Sequence, residues 1–243
     1  RLNIDFSFSC VVAMSWLADL SLMLFPDTCQ VCGDALVDGE EVMCLRCDMR
    51  MPRCNYHLHP LHPVSVRFAA FKVARIAAMF PYVRHNEYAR LIQKSKYNGH
   101  PQIDRMLAGK FARELLPSGF FSGIDLILPV PMHFWKQAMR GFNQAAEIAR
   151  GISAVTGLPV SDNLVLPRRH ATQTRRNASQ RMANAKGRFY VVYPHELEGR
   201  HVLIVDDVIT TGATILACAD AVREAAPTAT VSVLALSATR FRE

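Results

Sequence analysis

Two groups of residues in this chain have types and spacings suited to chemistry. The first is Cys29-x2-Cys32, followed after eleven residues by Cys44-x2-Cys47. A two-residue gap lets both thiolates of a knuckle face one ion, and two knuckles complete the tetrahedral sulfur shell that suits zinc. Four thiolates leave no position open for water or substrate, so the expected ion is a structural Zn²⁺ stapling a small subdomain. Disulfides are disfavoured in a reducing cytoplasm, and a redox pair explains one knuckle but not two. Cys54, His57, His59 and His62 follow closely, but they alternate with Pro60 and Pro63 as in an extended linker and are read as non-ligands.

The second group is Val202 to Thr214, VLIVDDVITTGAT. An apolar strand runs into two adjacent carboxylates, then into a turn of hydroxyl residues around a glycine, then into a helix. In open parallel sheets ligands bind at the carboxyl ends of strands, where this stretch puts its polar atoms. Gly212 permits a tight turn. Backbone N–H groups and the Thr210, Thr211 and Thr214 hydroxyls can then surround a phosphate at the helix N-terminus. Asp206 and Asp207 can accept hydrogen bonds from the vicinal hydroxyls of a ribose. The rival nucleotide motifs are missing: there is no G-x-x-x-x-G-K-[ST] loop, no two glycines lie two apart, and no G-x-S-x-G elbow occurs. An Asp pair that merely caps the following helix would use one carboxylate and leave the other unexplained.

These residues need a scaffold, and 243 residues, half of them apolar, can build one. Expected strands are Asp125 to Val130, Arg188 to Val192, His201 to Val205 and Thr230 to Leu236. Expected helices run from Asn143 to Gly157 and from about Ala213 to Ala225. Strands apolar on both faces and separated by helices imply an α/β fold with a parallel sheet covered on both sides. Residues 10–25 read as an amphipathic helix with Trp16, Leu20 and Met23 on one face, ended by Pro26. That run contains Asp19 and falls short of the roughly 20 residues a membrane span needs, so no span is expected. It also lacks the flanks of a secretory signal, and a cytoplasmic location is expected.

The net charge is +7, and between Asp162 and Glu196 there is no acid but seven cations: Arg168, Arg169, Arg175, Arg176, Arg181, Lys186 and Arg188. Such a stretch reads either as a solvated mobile loop or as a concentrator of anions, phosphate-rich ligands and nucleic acid among them. Arg140, Arg175 and Arg181 are the candidate anion contacts. Lys94, Lys96, Arg168, Arg169 and Arg175 are the candidates for single-stranded DNA, with Tyr97 or Tyr190 for base stacking.

Residues 202–214 resemble the phosphoribosyl pyrophosphate motif of type I phosphoribosyltransferases. From about residue 10 onward the chain resembles the ComF family of competence-associated proteins. That likeness is carried by Cys29 to Cys47, Lys96-Tyr97-Asn98-Gly99, Pro129-Val130-Pro131 with Arg140-Gly141-Phe142-Asn143-Gln144, and Gln173-Thr174 through Arg181, Asn184 and Phe189. The resemblance implies a zinc-ribbon subdomain at 10–62 ahead of a phosphoribosyltransferase-like domain at 63–243. It also implies binding of phosphoribosyl pyrophosphate with Mg²⁺, and handling of incoming single-stranded DNA beside other DNA-uptake proteins during natural transformation. On matching positions, Asp206 and Asp207 would hold the ribose hydroxyls. Thr210 to Thr214 (Thr210, Thr211, Gly212, Ala213 and Thr214) would hold the 5′-phosphate with Val208 a further ligand contact, and the Pro129 to Met132 segment would be the pyrophosphate-side loop, with Pro131 and Met132 its contacts. An enzyme of this kind would displace pyrophosphate from C1 of the ribose, with Arg140 beside the developing charge. A phosphoribosyltransferase of nucleotide or base salvage is the alternative.

Overall fold

A computed structural model of the chain describes residues 27–59, 61–68, 71–84, 86–166 and 189–239. The helix expected at 10–25 and the cations Arg168, Arg169, Arg175, Arg176, Arg181, Lys186 and Arg188 lie outside the described residues. By its contacts the chain divides into two compact units, Arg1–Arg50 and Met51–Glu243.

In the first unit, helix α1 (Leu45–Arg50) starts directly after Cys44. Its first N–H is met from the preceding turn, where the Glu40 carboxylate accepts from Leu45 N–H at 2.6 Å and, holding the turn itself, from Val37 N–H at 3.0 Å. Thr28 and Ala35 form an antiparallel bridge around the first knuckle, and Arg46 pairs with Asp34.

In the second unit, α2 (Pro63–Phe68) precedes β1 (Ile76–Tyr82), α3 (Glu87–Asn98), α4 (Pro101–Leu115), β2 (Leu126–Pro129), α5 (Phe134–Arg140) and α6 (Gln144–Thr156). Then come β3 (Leu164–Val165), β4 (Tyr190–Val191), β5 (His201–Ile209), α7 (Ala213–Ala225) and β6 (Thr230–Thr239). Four strands form a parallel sheet in the order β1-β6-β5-β2, so the α/β class expected from the sequence is the one found. Leu126, Leu128, Val202, Ile204 and Val233 pack on one side with Ile215, Cys218 and Val222 of α7. Among the described residues no helix is long and apolar enough to cross a membrane.

Several strands differ from expectation. β5 continues four residues past Val205, because Val208 and Ile209 stay in register with Ser237 and Ala238 of a β6 that itself runs to Thr239. β4 lies outside the parallel sheet and pairs antiparallel with β3. β1 is absent from the expected strands. Its sequence, IAAMFPY, is alanine-rich and holds Pro81, which a strand accepts here because β1 is an edge. At the other edge, Ile127 of β2 exchanges backbone hydrogen bonds with the 159–161 segment: its N–H donates to Pro159 O and its carbonyl accepts from Ser161 N–H, both at 2.9 Å.

Helices α4 and α6 cross at close quarters. A Cβ on Gly151 of α6 would lie 2.1 Å from the Arg105 carbonyl oxygen of α4, so the crossing needs glycine there. Buried Glu147 secures it, taking Arg105 at 2.6 Å and pairing also with Arg150.

Candidate functional site

The sulfurs of Cys29, Cys32, Cys44 and Cys47 all lie within 4.8 Å of one another. Four sulfurs set about 2.3 Å from a zinc ion define a tetrahedron with edges of about 3.8 Å. Cys32 Sγ and Cys44 Sγ are 3.7 Å apart, which is such an edge. Burial raises the Cys29 thiol, but N–H donors from Cys32 (3.5 Å) and Cys44 (3.3 Å) outweigh it and hold the group down at about 6. At Cys29 that favours the thiolate, the form a metal takes, whereas burial and the neighbouring sulfurs push the Cys47 thiol up, so that group would give up its proton only to the metal. The cluster therefore fits the zinc ribbon expected from the two knuckles.

The second site follows from unequal strand lengths. β2 ends at Pro129 opposite Val205, and Val130 N–H makes a last bond to Val205 O at 2.9 Å. Asp206 and Asp207 stand beyond that point, with the 130–133 segment turning away beside them. The result is a cleft of about 170 Å³ at the carboxyl ends of β2 and β5. Pro131, Met132, Arg140, Asp206, Asp207 and Thr214 line it together with His133, Lys136, Asn143 and Gln144. The structure thus brings two distant sequence stretches to one place.

On a regular strand successive side chains face opposite ways. Here each carboxylate instead folds along the chain: Asp206 Oδ1 accepts from Asp207 N–H at 2.9 Å, and Asp207 Oδ1 from Val208 N–H at 2.8 Å. Val208 stays in the strand ladder. Beyond it Gly212, at φ 78°, takes the left-handed conformation that lets the chain enter α7. Thr211 Oγ1 accepts from Ala213 N–H at 3.4 Å. Thr210, Thr211 and Ala213 are exposed on this turn, and Thr214 faces the cleft.

The opposite wall is set by α6. Asn143 caps it, accepting from Ala145 N–H at 3.1 Å, while its amide donates to Val130 O at 3.0 Å and so ties the loop after β2 to the helix start. Arg140 donates to Gln144 Oε1 at 3.1 Å, and buried Gln144 Nε2 has no hydrogen-bond partner among the described residues. Of the Arg-Gly-Phe-Asn-Gln run, only Arg140 is expected at the site from sequence. The S/T/D/N preference for helix N-caps is the signal that picks out Asn143.

Lys96, a candidate nucleic-acid contact from sequence, forms an ion pair with Asp207 at the cleft. Lys94 is half-buried on the same helix, and Arg168, Arg169, Arg175 and Arg181 lie outside the described residues. Burial, reinforced by the neighbouring Asp207, raises the Asp206 carboxyl well above the usual range. Behind them Asp104 is fully buried and accepts a hydrogen bond from Ser95, and its Oδ1 has no partner among the described residues. Its carboxyl is lifted from 3.8 to about 7, mainly by burial and further by Asp207.

A carboxyl with a raised native pKa holds its proton in the fold after the unfolded chain has released its own. Its contribution is intact below about pH 4 and is lost as pH rises through about 7. Each tenfold difference in proton affinity between the folded and unfolded chain is worth about 1.4 kcal/mol, which sets an upper bound of about 4 kcal/mol. We expect the urea midpoint to fall across that window, and Asp104→Asn to flatten the fall and raise the midpoint above pH 8. Asp206 acts in the same direction, so part of the slope remains. A variant whose pH profile matches wild type would rule out the buried acid as its source.

The phosphoribosyl transferase domain family matches residues 107–240. The chain is 35% identical over 130 residues to Competence protein F of Haemophilus influenzae, covering 51% of this chain and 57% of that protein. The match thus spans little more than half of the Haemophilus protein's length. It is 28% identical over 210 residues to DNA utilization protein YhgH of Escherichia coli O157:H7, covering 84% of this chain and 88% of that one. Among solved structures it is similar to the glutamine phosphoribosylpyrophosphate amidotransferase from B. subtilis, with a TM-score of 0.39 and 22% identity over 54% of this chain and 25% of that one. With the parallel sheet and the paired acids at its carboxyl edge, the match over more than half its length makes this chain a member of the phosphoribosyl transferase domain family, related to Competence protein F and YhgH.

Proposed function

We propose that the cleft binds phosphoribosyl pyrophosphate and that the protein serves in the handling of DNA, as the names of its relatives suggest. The observation that carries the reading is the meeting of Asp206, Asp207 and Thr214 with Pro131, Met132 and Arg140 in one cleft. The paired acids accept the ribose hydroxyls. The turn from Thr210 to Thr214 meets the 5′-phosphate at the start of α7, where N–H groups and helix dipole favour an anion. Arg140, with the loop at Pro131 and Met132, faces the pyrophosphate.

If turnover occurs, a nucleophile forms a bond to C1 as the C1–O bond breaks, and the bonding pair leaves with pyrophosphate. Positive charge grows on the ring while negative charge grows on the leaving group, so fixed donors such as Arg140 contribute by stabilising the latter. Adjacent carboxylates suit Mg²⁺, which is held through one or two carboxylates together with substrate phosphates. When bound with the ligand, that ion would neutralise charge on the departing pyrophosphate. The four cysteines hold a structural Zn²⁺, and their need for reduced thiols supports a cytoplasmic place of action. Incoming single-stranded DNA and other DNA-uptake proteins are the partners of this reading.

Calorimetry with phosphoribosyl pyrophosphate and Mg²⁺ tests it. Saturable binding is expected, weakened about a hundredfold or more in the Asp206→Asn, Asp207→Asn double variant, since each lost hydrogen bond to a charged group is worth about 1.5–3 kcal/mol. Equal affinity in that variant would overturn the reading.

A further inference from the structure

Helix α5 borders the cleft and turns an aromatic, acid-free surface outward. Phe134, Trp135 and Met139 are 56%, 69% and 88% exposed, although side chains of this kind are ordinarily covered. Trp135 and Met139, four residues apart, share one face, and Phe134 stands edge-on to Trp135 with ring centroids 5.7 Å apart. Lys136 and Arg140, also four apart, form the adjacent stripe. Arg140 extends the surface to Tyr97, whose ring is 75% exposed and lies 5.7 Å beneath the guanidinium. No acidic residue occurs between Asp125 and Glu147.

We propose that this surface is a docking platform for single-stranded DNA, with bases stacking on Trp135, Phe134 and Tyr97 and phosphates tracking Lys136 and Arg140. Flat exposed rings offer stacking that only unpaired bases can accept, because a duplex keeps its base faces covered. The cationic stripe beside them complements a polyanion, whereas a docking protein would need the rings and leave the cations without a role. The proposal rests on the reading that the chain handles single-stranded DNA, and it adds the surface that would hold it. Lys136 and Arg140 belong to both platform and cleft, so the strand would pass the mouth of the phosphate site.

Fluorescence anisotropy of the full chain with a labelled oligothymidylate tests the platform, with calorimetry for phosphoribosyl pyrophosphate on the same preparations. Binding that weakens steeply with salt is expected. Phe134→Ala with Trp135→Ala should lower the affinity at least about tenfold, Trp135→Phe should keep most of it, and the sugar-phosphate affinity should not move. The proposal is overturned if the double variant binds the oligonucleotide as well as wild type. It is equally overturned if a duplex binds as tightly, if an oligoribonucleotide binds more tightly, if Trp135→Phe is as weak as Trp135→Ala, or if wild type does not bind. Each of those outcomes leaves the phosphoribosyl pyrophosphate reading standing, because that reading fails only in the calorimetry.

Discussion

Cys44→Ser protein, purified without chelator, is expected to carry no bound zinc, while wild type carries one ion per chain. The segment from residue 27 to 50 is too short to bury a core that could hold it folded, and its described apolar burial is confined to a few side chains such as Val42 and Met43. Metal binding in domains of this size is worth about 10–16 kcal/mol and is effectively the folding free energy. A serine oxygen cannot replace a thiolate at an edge where the sulfurs now stand 3.7 Å apart. The variant should therefore lose protease protection over residues 27–50 while keeping its affinity for phosphoribosyl pyrophosphate. Full metal content in Cys44→Ser, measured by elemental analysis, would exclude the four-thiolate centre.

Gly151→Val is expected to cost at least about 3 kcal/mol, the upper end of what overpacking ordinarily costs. The new Cβ would fall 2.1 Å from a backbone oxygen, so relief requires moving α4 against α6 rather than turning a side chain. Against a total stability of about 5–15 kcal/mol, such a loss is read easily as a lower urea midpoint. Gly109→Ala is the matched control. Its Cβ would sit 3.4 Å from Gly151 O, and alanine favours the helix by about 1 kcal/mol, so that variant should be neutral or more stable. Equal midpoints for Gly151→Val and wild type would mean that the crossing is looser than its geometry requires.

The strand and turn at 202–214 and the two cysteine knuckles are legible in the sequence because each is local. Apolar run, paired acids, glycine and helix follow one another without interruption, and two-residue gaps fix where thiolates point. Legibility fails where partners lie far apart along the chain. Lys96 reads as a candidate contact for single-stranded DNA, and only folding shows that α3 delivers it to Asp207. Asp104 and Ser95 carry no motif, yet burial makes them the electrostatic floor beneath the paired acids. β1 escapes notice for a different reason: two alanines and Pro81 weaken its pattern, and its edge position is what allows them. The sequence pattern ends β5 at Val205 because the acids break the apolar run, whereas the ladder with β6 carries the strand through them.

The two margins of the parallel sheet are closed by different means. Pro81 removes a donor from one, and the 159–161 segment occupies backbone groups of Ile127 on the other. An intruding chain finds no unbroken row of N–H and C=O groups to template on, so this fold resists fibril growth and strand exchange without spending charged residues on its rim.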